Sequence, residues 1–187
     1  GDCLCEWFGK EPGKICGYDG HPEIELALYR LYRCTGEEKY LSCMRFFVEE
    51  RGTCGPGHPH FFDWEQERNV QKYGKPVLGE LSRWADRHRP FWGHYEYFQA
   101  HQPARQLREP TGHAVRATYF YCGMADLAME TGDKELLEAC KSLWRGFEQG
   151  NVALNGSIGQ DGFWEGIGKE YDLPPDYSYN ETCAAIG

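Results

Sequence analysis

The stretch GHAVRATYFYCGMADLAMETGDKELLEACKSLWRGFE, residues 112–148, decides the fold class of this chain. Its second half places apolar residues three or four positions apart, the stripe of a helix that packs on one side. These residues are Leu136, Leu137, Cys140, Leu143, Trp144 and Phe147. The turn Thr131-Gly132-Asp133 precedes them, and there a glycine ends one helix and an acidic residue begins the next. The pattern predicts a helical hairpin.

The same pattern occurs once more, nearer the start of the chain. Gly20-His21-Pro22-Glu23 leads into a helix, Thr35-Gly36-Glu37 forms the turn, and the returning helix carries Tyr40, Leu41, Met44, Phe47 and Val48. No alternating strand pattern competes with this repeat. We therefore predict an all-α fold of helical-hairpin repeats, either a solenoid or a closed α/α barrel. Two hairpins cannot close a ring, so a barrel would need additional chain on both sides.

Two stretches outside the hairpins have the composition of loops. Residues 51–89 contain Gly-Pro-Gly-His-Pro-His and mixed charge, which predicts a long loop with one helix near Leu78 to Arg87. Residues 155–159, Asn-Gly-Ser-Ile-Gly, predict a second loop. Long excursions between helices of a repeat often lie on the functional face, so both loops are expected near a site.

Charge and hydropathy exclude two classes of partner. The net charge of −9 and the pI near 5.3 argue against nucleic-acid binding, because contacts with phosphates need a basic surface. The longest apolar runs are only a few residues, so no membrane-spanning segment is predicted.

The chain has nine cysteines, which is an odd number. Cys34, Cys43, Cys122 and Cys140 lie on or beside predicted apolar helix faces, where a free cysteine behaves as a small buried hydrophobe. We interpret them as core thiols in a reducing compartment, which predicts a cytoplasmic protein. A disulfide scaffold is the alternative, although the proportion of cysteine is below that of small disulfide-rich domains.

Chemically suggestive residues concentrate near the C-terminal end of the sequence. Glu165 lies between glycine-rich turns, and Glu181 and Cys183 follow a proline-rich loop. Residues at i and i+2 lie on the same side of an extended segment but on nearly opposite sides of a helix. If Glu181 and Cys183 bind one metal ion, residues 180–183 should be extended or turn-like, with a helix beginning near Ala184.

Several ordered motifs resemble the β-L-arabinofuranosidase family, glycoside hydrolase family 127. They are Gly13-Lys14, GHPEIELAL (20–28), YFQAHQP (97–103), GHAVRA (112–117), YDLP (171–174) and ETCAAIG (181–187). The resemblance implies an α/α toroid (six-hairpin barrel) followed by β-sandwich domains. Residues 1–187 would then be a partial catalytic α/α-barrel domain, without its N-terminal helices and the C-terminal part of the barrel.

The resemblance also implies a mechanism and a set of site residues. Members of the family remove β-linked L-arabinofuranose with retention, using a zinc-bound cysteine as nucleophile and a glutamate as acid/base. The acid/base corresponds to Glu165, and Glu181 and Cys183 correspond to two of the four zinc ligands. The other two ligands, including the nucleophile, correspond to no residue of this sequence. The implied partner is an oligosaccharide or glycoconjugate containing L-arabinofuranose.

Three histidines are predicted to contact the sugar. His21 and His113 precede equivalent helices of the two hairpins, where the helix dipole disfavours imidazolium and leaves a ring that both donates and accepts hydrogen bonds. His101 in Gln-Ala-His is the third candidate. Among the aromatic residues, Trp92 and Trp164 have loop context and are candidates for stacking on a sugar ring.

Other functions remain open at the level of sequence. A non-catalytic carbohydrate-binding repeat would keep the histidines and aromatic residues but lack working thiolates. A disulfide-stabilised interaction module would have few free thiols. Another helical-toroid glycosidase is the third alternative, because a fold does not fix the chemistry of its site.

Overall fold

The structure is a computed structural model that describes residues 1–74, 94–162 and 164–187. Within these ranges the helices are α1 (Asp2–Trp7), α2 (Ile24–Thr35), α3 (Glu38–Glu50), α4 (Phe61–Tyr73), α5 (His94–Tyr97), α6 (Ala114–Thr131), α7 (Lys134–Glu148) and α8 (Thr182–Ile186), with a 3-10 turn at Ala104–Gln106. The same ranges contain isolated β-bridges but no strand. None of these helices combines the length and the apolar character needed to cross a membrane.

Both predicted hairpins are confirmed. Helices α2 and α3 meet at Gly36, and α6 and α7 meet at Gly132; both glycines have left-handed backbone conformations, with φ of 73° and 68°. Glycine adopts this conformation without the steric cost that a Cβ atom brings. Asp133 then begins α7, because its carboxylate accepts a hydrogen bond from the Leu136 backbone N–H at 3.0 Å.

The two hairpins share one core. Helices α2 and α3 pack on each other and on α6, and α6 packs on α7 and α8. The apolar residues of this core that are almost fully buried are Leu28, Met44, Phe47, Phe120, Met124, Leu127, Leu136 and Leu143. Their helical spacing follows the stripes seen in the sequence, so burial of these stripes drives the assembly.

A charged cluster is buried within this core. The Arg51 side chain, fully buried at the end of α3, contacts the Asp19 carboxylate at 2.6 Å and the Glu25 carboxylate at 3.5 Å. It also donates to the carbonyl oxygen of Phe98 at 3.1 Å. Its guanidinium lies 5.0 Å from the ring centroid of Phe120 in α6. Burial, followed by the charge of Asp19, raises the pKa of Glu25 to about 7 against the opposing effect of Arg51.

The prediction for residues 51–89 was wrong in one respect. The structure has a helix at Phe61–Tyr73, inside the segment that was predicted to be loop. Only Phe61 and Phe62, at the start of α4, are buried, so the helix lacks the repeating apolar stripe that would reveal it in the sequence. The helix predicted near Leu78 to Arg87 lies outside the described residues.

The cysteines are all free thiols in the structure. Cys43 is buried and Cys122 and Cys140 are half-buried, as expected for thiols on apolar helix faces. Cys34 is exposed, which corrects its prediction as a core residue. It lies in the last turn of α2, nine residues after buried Glu25 and therefore on the side of the helix that faces away from the core.

We expect Arg51→Met to lower the free energy of unfolding by about 3–5 kcal/mol, because it leaves the fully buried Glu25 and the half-buried Asp19 without their partner. Urea unfolding monitored by circular dichroism measures this loss. Arg68→Met, at an exposed position of α4, is the matched control and should change stability by less than about 0.5 kcal/mol. Equal stabilities of the two variants would contradict the structural role of Arg51.

Candidate active site

The site is built around His113, which is the N-cap residue of α6. Its Nδ1 accepts a hydrogen bond from the Arg116 backbone N–H at 3.4 Å, and its Nε2 lies 3.0 Å from Oε2 of Glu165. Because Nδ1 is an acceptor, the neutral ring carries its proton on Nε2 and donates it toward the Glu165 carboxylate. The start of the helix thus fixes both the tautomer and the orientation of the ring.

The loop that carries Glu165 crosses the start of α6. The Ala114 N–H donates to the Glu165 carbonyl oxygen at 2.9 Å, and the Ile167 N–H donates to the Gly112 carbonyl oxygen at 2.8 Å. Glu165 has a φ of 56°, a left-handed conformation that costs a residue with a side chain about 1–3 kcal/mol. The surrounding hydrogen bonds hold this conformation, and it directs the Glu165 side chain to His113. That side chain is 43% exposed, so it faces solvent as well.

A second segment, residues 96–99, packs against the entry to α6. The His113 N–H donates to the Tyr97 carbonyl oxygen at 3.2 Å, and buried Gln99 donates from Nε2 to the Thr111 carbonyl oxygen at 3.0 Å. Gly112 has a φ of 80°, and a Cβ atom there would lie 2.1 Å from the carbonyl oxygen of Glu96. Only glycine fits this close approach, which explains the Gly-His pair in the sequence.

Rings surround the His113–Glu165 pair. The ring of His21 lies 5.9 Å from that of His113 between centroids, and the ring of Tyr97 lies 5.5 Å from it on an edge-to-face contact. Trp164, one of the two predicted stacking residues, lies 5.9 Å from Tyr97, and Tyr119 lies 6.3 Å from His21. The structure therefore brings His21 and His113 together, although His21 precedes α2 by two more residues than His113 precedes α6.

Burial decides the charge of His113. Loss of solvation, followed by the nearby positive charge of Arg116, lowers the pKa of His113 to about 4, against the opposing effect of Glu165. The Arg116 guanidinium is held close by, over the ring of Tyr97 at 4.8 Å. The imidazole is therefore neutral at neutral pH.

Glu181 and Cys183 lie at the start of α8. Glu181 is extended, with φ −81° and ψ 136°, but the helix begins at Thr182 rather than near Ala184. The Glu181 carbonyl oxygen accepts from the Ala185 N–H at 3.2 Å, which sets this earlier start. A hydrogen bond to the Glu181 carboxylate raises the pKa of the Cys183 thiol, so the two side chains still meet on one side.

These two side chains suit a zinc ion in their chemistry, since carboxylate oxygen and thiolate sulfur are both common zinc ligands. In the ranges that the structure describes, no third cysteine, histidine, aspartate or glutamate joins Glu181 and Cys183 within 4.8 Å. The phenol of Tyr119 is also close, and after burial the Cys183 sulfur contributes most to raising the pKa of Tyr119. Among the described residues this pair therefore offers two possible zinc ligands, fewer than the three or four protein ligands of a zinc site.

Two tyrosines belong to this group although the sequence did not single them out. The charge of Glu165, followed by that of Glu181, raises the pKa of Tyr179, so its phenol lies between the two carboxylates. Tyr119 lies between His21 and Cys183. The sequence offered a signal for Tyr119, because it lies on α6, six residues after His113. It offered none for Tyr179, because the position of that residue depends on the path of the loop before α8.

Two further predicted site residues are His101 and Trp92. No hydrogen bond or ring contact described in the structure joins His101 to His21, His113 or Glu165. Burial lowers the pKa of His101, and its Nδ1 has no hydrogen-bond partner in the described part of the chain. Its sugar contact stays a prediction. Trp92 lies outside the described residues.

The chain is similar to known proteins in sequence and in structure. The family model described as "Beta-L-arabinofuranosidase, GH127 catalytic domain" matches residues 1–187. A non-reducing end β-L-arabinofuranosidase from Bifidobacterium longum subsp. longum is 36% identical over 187 residues, 99% of this chain and 26% of the relative. In the crystal structure of Ara127N-Se, a GH127 β-L-arabinofuranosidase from Geobacillus stearothermophilus T6, the match has 39% identity and a TM-score of 0.81.

The matched segments cover nearly all of this chain but only part of each relative. The match to Ara127N-Se covers 99% of this chain and 26% of that one. A second solved GH127 β-arabinofuranosidase is 32% identical with a TM-score of 0.75, over 99% of this chain and 23% of that one. The chain thus spans about a quarter of the length of these relatives. Its helical hairpins are part of an α/α toroid-type fold, as the repeat predicted.

We expect His113 to contribute a loss of stability as the pH decreases from about 6.5 to about 4, because the unfolded chain binds a proton at His113 that the folded chain does not. The raised pKa of Glu25 acts in the opposite direction over part of this interval, so the contribution of His113 is read from a comparison with a variant. His113→Gln removes this contribution, so its free energy of unfolding should rise less steeply with pH across that interval. Urea unfolding at a series of pH values measures both slopes. Parallel curves for the two proteins would contradict a neutral, buried His113.

Proposed function

This chain belongs to the GH127 β-L-arabinofuranosidase catalytic-domain family, and we propose that it forms part of a retaining glycoside hydrolase that releases β-linked L-arabinofuranose. The observation that supports this most directly is the pairing of Glu165 with His113 at 3.0 Å, beside Glu181 and Cys183. The substrate would be an oligosaccharide or glycoconjugate with such a sugar at its non-reducing end.

In the proposed mechanism Glu165 is the general acid and base. Its carboxyl group gives a proton to the glycosidic oxygen as the bond to the departing group breaks, and its carboxylate then takes a proton from the incoming water. The side chain is partly exposed and its backbone is locked against the start of α6, as this role requires. Tyr179 and His113 approach the same carboxylate and would hold it in position.

His113 serves this mechanism as a neutral donor. Its Nε2–H points at the Glu165 carboxylate, and its low pKa keeps the ring from taking the proton that Glu165 must deliver. With the rings of His21, Tyr97 and Trp164 nearby, the surface combines hydrogen-bonding groups with aromatic faces. Such a combination suits a furanose, which presents both hydroxyl groups and C–H edges.

The proposed nucleophile is a cysteine thiolate outside residues 1–187. Glu181 and Cys183 would hold a zinc ion together with two further cysteines of the same outside region, and the thiol proton of Cys183 would leave as the metal binds. The zinc charge would keep its cysteine ligands ionised at neutral pH. Residues 1–187 are in this proposal a partial catalytic α/α-barrel domain of a longer protein, with β-sandwich domains following the barrel.

We expect Glu165→Gln in the whole protein to lower kcat for a p-nitrophenyl β-L-arabinofuranoside by about a hundredfold or more, since general acid–base groups contribute about 10²–10⁴ in rate. Glu170→Gln, five positions further along at an exposed site, is the matched control and should leave kcat within about twofold of the wild type. Unchanged turnover in the Glu165 variant would refute its role as acid and base.

We expect Cys183→Ser in the whole protein to weaken zinc binding at this site at least tenfold and to lower activity with it, because a ligand of the zinc is lost. Zinc content after dialysis against a mild chelator and the rate of L-arabinose release measure the two effects. Cys34→Ser, which changes an exposed thiol at the end of α2, should retain both. Full zinc content and full activity in the Cys183 variant would contradict the proposed site.

A further inference from the structure

A second group of metal-binding side chains lies away from Glu181 and Cys183. It consists of Cys16, in the loop before α2, Glu50, the last residue of α3, and His58, in the turn that follows. One donor atom from each lies within 4.8 Å of the other two. The Cys16 sulfur is 3.4 Å from Oε1 of Glu50, and Nε2 of His58 is 2.7 Å from the same oxygen.

The charge of Glu50 is poorly compensated where it lies. Its side chain is only 2% exposed, and its Oε2 is a buried atom without a hydrogen bond. The cation nearest to this oxygen is the Lys10 ammonium at 3.3 Å, on a side chain that is 66% exposed. An ion pair with so exposed a lysine is weak, so it offsets only part of the cost of burying a carboxylate. A divalent cation beside Oε1 would offset that cost directly.

The three donors are held in place by the backbone. The turn before His58 is closed by two hydrogen bonds between Gly55 and His58, with N–O distances of 2.8 and 3.0 Å. The Thr53 hydroxyl donates to the Glu50 carbonyl oxygen at 2.8 Å and lies 3.2 Å from Nε2 of His58. Little ordering is therefore needed for the three side chains to act together, which favours binding of an ion.

We propose that Cys16, Glu50 and His58 bind a zinc ion, with a fourth position open to water. A thiolate, an imidazole and a carboxylate are a ligand set that suits zinc, whereas magnesium and calcium prefer oxygen ligands alone. Binding releases the Cys16 thiol proton to solvent, and the neutral His58 ring binds through Nε2 with its proton on Nδ1, so that zinc lies between the sulfur, Nε2 and Oε1 of Glu50. His58, 40% exposed, lies on the side from which the ion enters.

This site would tie three parts of the chain together, namely the loop at Cys16, the end of α3 and the turn at His58. It also lies next in sequence to Arg51, the buried arginine of the core. The proposal stands independently of the glycosidase function and of the zinc proposed for Glu181 and Cys183. Its test must therefore remove that other zinc first.

The experiment uses the whole protein carrying Cys183→Ser, freed of metal with a chelator and titrated with Zn²⁺ and with Co²⁺. We expect the metal-free protein to bind one Zn²⁺ per chain tightly in this background, and Co²⁺ to give a thiolate-to-metal charge-transfer band. Adding Cys16→Ser or His58→Gln should weaken Zn²⁺ binding at least tenfold, and Cys16→Ser should abolish the band. Cys54→Ser, an exposed thiol of the same loop, is the matched control and should change neither.

Two results would overturn the proposal. One is the absence of tightly bound Zn²⁺ in the Cys183→Ser background. The other is equal affinity for Zn²⁺ before and after the changes at Cys16 and His58. Circular dichroism establishes that each variant is folded; if Cys16→Ser does not fold, His58→Gln decides the test, because His58 is largely at the surface.

Discussion

The buried guanidinium of Arg51 is the interaction on which the rest of the structure depends. It connects the loop at Asp19, the first turn of α2 through Glu25, the carbonyl oxygen of Phe98 and the ring of Phe120 in α6. Each of these is a near neighbour in sequence of a residue in the candidate site. Removing the guanidinium would leave fully buried Glu25 and half-buried Asp19 without their cation, so breaking these contacts is costly in free energy.

The geometry of the candidate site depends on these contacts of Arg51. Asp19 precedes His21 by two residues, Phe98 follows Tyr97, and Phe120 follows Tyr119. The contacts of Arg51 therefore hold the backbone beside three ring-bearing residues. The rings of His21 and Tyr97 contact His113, and the ring of Tyr119 contacts His21. Glu165 reaches the site in a different way. Its backbone is left-handed, and hydrogen bonds hold it against the start of α6. The strain concentrated at this residue agrees with the tendency of functional sites to carry such conformations.

The success of the sequence predictions varied with the kind of signal available. The hairpins at residues 24–50 and 114–148 repeat apolar residues with a helical period and mark their turns with glycine, and both were predicted. Helix α4 buries only its first two residues, so it lacks the apolar period and was missed, although Gly74 ends it in a left-handed conformation. Cys34 lies nine residues after buried Glu25, which at 3.6 residues per turn places it on the opposite side of α2 from the core, and it is exposed.

The sequence by itself determined the helical hairpins and their turns, because these depend on local backbone preferences and on the 3.6-residue period. Glu165, Glu181 and Cys183 were named from the resemblance of their motifs to a known family. Only the tertiary structure decided which of these residues meet. His113 and Glu165 are 52 residues apart, and their contact arises from a loop that crosses a helix end. Cys16, Glu50 and His58 likewise come together through the ending of α3 and the turn after it. Such contacts between distant segments leave no periodic pattern in the chain, since they are set by the packing of elements rather than by the residues within one element.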